Sequence, residues 1–265
     1  VIAHRSLFPA NAGPGFSTTE STDIPGELVA RVRAFRVFRG SFLFDRAEAA
    51  HCGSGQEDIA MKLYDSRRAP NPRRVRWFMA EKGIEDIEIV DVDLLAGAHR
   101  TPEYVGRAGV AQAPALTMDD GTTITESVAI CRYLESLYPD PNLFGRDAKE
   151  IAVVEMWMRR AEMMVATPLM LAVRHAHPAL AVLETQVPEV AANNRQQGER
   201  ALKLFDRRLA ESRWIAAERI TIADGVMFIG MEFARMVRFV CPEELSHVAR
   251  WQAAMRERAS AAAGA

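Results

Sequence analysis

Two short strand-like runs bracket a segment of helical periodicity, and few folds accept that order. The first run is Met61-Lys62-Leu63-Tyr64; in the second, Val90, Val92 and Leu94 alternate with Asp91 and Asp93. Period two is the mark of a strand with one buried face. Between them, Pro70 and Pro72 introduce a helix in which Val75, Phe78 and Met79 recur at helical spacing. Proline is tolerated there because first-turn N–H groups have no partner within the helix. Gly83 supplies a C-terminal cap. Strand, crossover helix and strand make a βαβ unit with parallel strands. Ala115–Met118 and Thr122–Thr125 then flank Asp119-Asp120-Gly121, where Asp-Gly signals a hairpin. A further helix carries Ile130, Cys131, Leu134, Leu137 and Tyr138 on one face.

That order, β-α-β followed by a hairpin and a helix, is thioredoxin-like. Pro139-Asp140-Pro141-Asn142 then breaks the chain, and the pattern from Lys149 to Arg258 is helical. Breaks are expected near Pro168, His177-Pro178, Pro188, Arg219 and Pro242. The expected fold class is α/β plus all-α: a thioredoxin-like N-terminal domain over 61–140 and a helical-bundle C-terminal domain over 147–260. Residues 1–60 differ in kind, with no Met and no Lys, while all 12 Met lie from Met61 onward. Arg31, Arg33, Arg36 and Arg39 interleave with apolar residues as in a targeting segment, but Glu20, Asp23, Glu27 and Asp45 weigh against one. Residues 1–60 are expected to be a disordered extension, with ordered structure starting at Met61.

Bulk properties exclude several function classes. Balanced charge, 33 basic against 35 acidic residues, creates no basic field for nucleic acid. No stretch approaches the roughly 18 apolar residues of a membrane span. Three widely spaced cysteines indicate neither a disulfide framework nor a zinc site, so a cytoplasmic protein without a metal is expected. His175 and His177 stand two apart beside Pro178, which reads as a loop rather than a metal pair.

Two constellations carry chemistry. Gln112-Ala113-Pro114 places a proline at the entrance of a strand, where it cannot donate to a ladder. It is either an ordinary edge-strand proline or a cis proline that turns the backbone of Ala113 toward an extended peptide. Twelve residues beyond Pro114, Glu126-Ser127 follows the hairpin and opens a helix. Ser127 and nearby N–H groups there either cap the helix or hold a carboxylate. Glu126 can meet an ammonium. The pair suits a ligand bearing both groups on one carbon.

With these motifs, the chain from Met61 onward resembles the glutathione transferase family. It is most similar to a theta-like, bacterial and fungal-type subgroup with an Ala-Pro-Asn-Pro-Arg-Arg-Val-Arg run after the first strand, Ala69–Arg76 here. The resemblance implies that backbone groups of Ala113, beside a cis Pro114, pair with the cysteinyl unit of glutathione. It implies that Glu126 and Ser127 bind the γ-glutamyl end, that Gln112 helps hold the tripeptide, and that His99 meets the glycyl carboxylate. It further implies glutathione as co-substrate, an apolar electrophile as partner, a detoxifying role and a homodimer. Thr221-Ile222-Ala223-Asp224 matches a structural capping box of the family's second domain. Two positions depart from the pattern: Ala108-Gly109 replaces the usual Asn-Pro, and Ala69 stands where a catalytic Ser or Cys is usual.

Ala69 forces the question of thiol activation. Lowering a thiol from about 8.5 to about 6.5 needs roughly 2.7 kcal/mol in favour of thiolate. Asn71, between two prolines, is the catalytic candidate, with Ser66 as runner-up. The subgroup's alternative is a water held by second-domain residues, for which Arg159, Glu162 and His175 are candidates. Met156, Met163, Met164 and Met170 are expected mainly as core, with a substrate wall as the second reading. The rival functions are a glutathione-dependent reductase, which lacks its Cys at Ala69, and a non-catalytic binding module.

Overall fold

The computed structural model describes residues 61–263; the expectation for residues 1–60 lies outside them. Four strands form one mixed sheet in the order β2-β1-β3-β4: β1 (Met61–Asp65), β2 (Glu88–Asp91), β3 (Ala115–Met118) and β4 (Thr123–Thr125). β1 pairs parallel with β2 and antiparallel with β3, and Leu63 lies opposite both Ile89 and Leu116. Met61, Leu63 and Asp65 are buried on one face of β1.

Helix α1 (Pro70–Lys82) is the crossover; Pro70 is its first residue and Gly83 ends it at φ 66°. Helix α3 (Ser127–Leu137) packs beside it, and the short α2 (Pro102–Ala108) leads into the loop before β3. This is a thioredoxin-like unit. All-helical structure follows: α4 (Ala148–Arg160), α5 (Thr167–Ala176), α6 (Pro188–Glu211), α7 (Ile222–Ala234) and α8 (Ser246–Arg256).

Three expectations need correction. β2 ends at Asp91 rather than Leu94, because Val92 N–H makes the last link, to Asp65 O. Asp93 then turns the chain, its carboxylate accepting from Ala96 N–H at 3.0 Å. β4 starts at Thr123 because Thr122 closes the hairpin, its carbonyl accepting from Met118 N–H. Pro168 does not break the chain. A π-helical segment, Ala161–Ala166, precedes it, and Thr167 N–H reaches back five residues to Glu162 O. The wider turn accommodates a residue that has no N–H and crowds the preceding turn.

The two halves meet along α1 and α7. Trp77 is 1% exposed. A Cβ on Gly225 would lie 2.1 Å from its ring, so the close approach of α7 requires a glycine there. The Thr221–Asp224 capping box is present, and Asp224 also accepts from Ile215 N–H at 3.0 Å and Trp251 Nε1 at 2.9 Å. Its four donors replace the water lost on burial, although burial still pushes its carboxyl above the usual range.

Gly225→Ala should therefore overpack the α1–α7 contact and destabilise the protein by about 1–3 kcal/mol. Chemical denaturation checks this, and an unchanged midpoint would contradict the contact.

Candidate functional site

The loop from β1 to α1 is short and tethered. Ala69 N–H donates to Ser66 O at 2.9 Å, and Arg76 grips Asp65 and the carbonyl of Arg67. Among the first three residues of α1, Pro70, Asn71 and Pro72, Asn71 alone carries a backbone N–H. Ala69, in the N-cap position, offers no side-chain cap. Arg67 and Arg68 are exposed, whereas Arg73 donates to Ala261 O at 2.9 Å and Arg74 is buried.

The Ala113-Pro114 peptide is cis, and Pro114 is buried where β3 begins. The preceding loop is anchored by a residue that sequence reasoning passed over. Tyr104 on α2 donates its hydroxyl to Gln112 O at 2.7 Å and meets the Tyr64 ring edge-on at 6.1 Å. Burial pushes the Tyr104 phenol up to about 12, so it remains a donor at neutral pH. The side chain of Gln112 is exposed. Its acceptor is a backbone carbonyl, so no residue type in the loop signals the Tyr104 contact.

Glu126 lies between β4 and α3 with φ 65° and ψ 113°, an uncommon conformation for a residue other than glycine. Such strain clusters at binding sites. Its side chain is exposed. Glu126, rather than Ser127, occupies the N-cap position, and no side chain caps α3. The capping alternative for Ser127 is therefore corrected: Ser127 is the first helical residue, and its Oγ accepts from Arg74 Nη1 at 2.9 Å. The same Nη1 donates to Glu162 Oε1 at 3.1 Å, and Arg159 holds Glu162 Oε2 at 2.6 Å. Arg159 and Glu162 thus join the Ser127 cluster. His175 does not: its Nδ1 accepts from Val187 N–H at 3.2 Å, and His177 Nδ1 accepts from Ala179 N–H.

His99 sits in a short 3-10 turn, Ala98–Arg100, and is buried, with Nδ1 lacking a partner among the described residues. Burial, reinforced by Arg100 and Arg174, holds its imidazole below the ordinary histidine value. The methionines correct another expectation: Met156, Met163 and Met164 are 39%, 61% and 41% exposed, so they are not core. The π segment explains this for Met163 and Met164, since its wider turn rotates them away from the buried Ala161, Val165 and Ala166.

A cavity of about 480 Å³ lies elsewhere, lined by Glu81, Trp214, Arg258 and Ser260 among others. It contains none of the residues above, and Glu81 is already taken by Arg258 and Ser260. Among the described residues no group of three or more His, Cys, Asp or Glu is placed to hold a metal ion. No described helix is long and apolar enough to cross a membrane.

Comparison with known proteins places this geometry in context. The family model for the glutathione S-transferase N-terminal domain matches residues 59–136, and that for the C-terminal domain matches 161–259. Glutathione S-transferase 2 of Saccharomyces cerevisiae is 32% identical over 212 residues, spanning 78% of this chain and 91% of that protein. Glutathione S-transferase 3 of Zea mays is 30% identical, over 75% of this chain and 90% of its own length. The crystal structure of a glutathione S-transferase domain-containing protein from Marinobacter aquaeolei VT8 superposes with a TM-score of 0.72 at 35% identity. That match covers 75% of this chain and 98% of the other.

The His99 imidazole should titrate below about 6.5, the ordinary histidine value, and NMR titration measures it. The sign follows from burial favouring the neutral form. A carboxylate bound at His99 favours the charged form, so saturating glutathione should move the midpoint up. An unmoved midpoint would remove His99 from the ligand set.

Proposed function

Because the chain belongs to the glutathione S-transferase family, we propose that it binds glutathione in the thioredoxin-like half and joins the tripeptide's thiolate to an apolar electrophile. The observation that carries this reading is the pairing at the start of α3. Glu126 presents an exposed carboxylate, and Ser127 beside it presents a hydroxyl backed by a buried guanidinium. A ligand with an ammonium and a carboxylate on one carbon satisfies both. The α3 N-terminus adds donors and a favourable field for the carboxylate. Ala113 supplies strand-like backbone groups for the cysteinyl unit, with Pro114, Gln112 and His99 completing the tripeptide site.

Bond formation follows from that placement. The glutathione sulfur, as thiolate, attacks an electrophilic carbon. Its electron pair forms the C–S bond as a leaving group departs with the bonding pair, or as an activated alkene takes up the charge and then a proton. The thiol proton leaves to solvent beforehand. Since the Ala69 side chain provides no donor, the thiolate is stabilised at the start of α1. Asn71 contributes its N–H and its amide there, and that side chain has no hydrogen-bond partner among the described residues. Exposed Met163 and Met164 supply an adaptable apolar wall for the electrophile. Two copies pair as a two-fold homodimer.

Two measurements test this. Conjugation of an aryl halide with glutathione, followed by absorbance, separates an enzyme from a binding module. Titration of bound thiolate absorbance then locates the activating group. Asn71→Ala should raise the midpoint and lower turnover near neutral pH, with glutathione affinity changing much less. An unshifted midpoint would transfer activation to a water held from the helical half.

A further inference from the structure

Arg74 is a buried charge that touches the proposed site without being one of its expected ligands. It lies one helical turn into α1, is 2% exposed, and reaches Ser127 Oγ at 2.9 Å and Glu162 Oε1 at 3.1 Å with Nη1. Its Nε has no partner among the described residues. A guanidinium has donors and no acceptor, so Ser127 Oγ must accept from it. The serine's own hydrogen is left for another acceptor. A carboxylate is an acceptor on both oxygens, which makes it a fitting recipient. Glu162 comes from the π segment of the helical half, where Arg159 fixes its second oxygen.

We propose that Arg74 is a positioning residue for the amino-acid end of glutathione: it holds the Ser127 hydroxyl as a donor toward the ligand carboxylate, while Glu162 neutralises it from the helical half. The inference rests on the glutathione reading above and deepens it. A merely structural Arg74 would tie α1 to the π segment and leave ligand affinity alone. A positioning Arg74 acts through Ser127, so its effect requires the serine.

The test is a double-mutant cycle on glutathione affinity in the full chain, measured by calorimetry for the unmodified protein, Arg74→Met, Ser127→Ala and the double variant. Arg74→Met should weaken binding tenfold or more. In the Ser127→Ala background the same change should cost less than twofold. Losses that multiply in the double variant, or an Arg74→Met affinity within twofold of the original, would overturn the proposal. If Arg74→Met does not fold, Arg74→Lys carries the test, because an ammonium keeps the charge but loses the planar fork. Its KM for glutathione should rise severalfold at unchanged kcat; an unchanged KM would overturn the assignment. An unmodified protein that fails to bind glutathione would remove the functional reading and this one together, whereas normal binding that is insensitive to Arg74 removes this one alone.

Discussion

A buried guanidinium must be neutralised, and for Arg74 the partner is a carboxylate from the other half of the fold. Taking a charge out of water is costly, and removing one partner of such a pair typically costs up to about 3–5 kcal/mol. Glu162 is 21% exposed at its side chain, so water softens that figure here. One guanidinium therefore links Ser127 of the thioredoxin-like half to Glu162 of the π segment.

Helix α1 is where this constraint is met, and its other contacts keep it in place. Trp77 packs into the gap left by Gly225. Glu81 accepts from Arg258 Nε and Nη2, at 2.7 and 2.6 Å, and Arg73 holds the carbonyl of Ala261. Lys82 donates to the carbonyls of Tyr138 and Pro141 at 2.6 and 2.8 Å and pairs with Glu135, fixing the chain that leads into the helical half. The helix whose N-terminus faces the proposed thiolate is therefore clamped along its length. Such support suits chemistry that depends on placement to within fractions of an ångström.

What the sequence disclosed and what it hid divide along range. Strand β1, helix α1 with its prolines and Gly83, the β3–β4 hairpin and the Thr221–Asp224 box are specified by neighbours in the chain, and each was legible. The placement of Glu126-Ser127 between β4 and the start of α3 was legible for the same reason. Arg74 was not: it reads like Arg73 beside it, and its two partners lie 53 and 88 residues away. Tyr104 was overlooked because its target is a backbone carbonyl, which leaves no residue-type signal. Met163 and Met164 were expected as core because helical periodicity assumes a uniform turn, and the π segment at Ala161–Ala166 resets the phase.

The central claim is that the start of α3 reads an ammonium and a carboxylate on one carbon. Its most direct test leaves the protein unaltered and changes the ligand. Calorimetry should compare glutathione with its N-acetyl derivative, in which the α-amine can no longer carry a charge. The account predicts at least a tenfold loss of affinity, since a charge-assisted contact to Glu126 is worth about 1.5–3 kcal/mol. Equal affinity for the two ligands would contradict it.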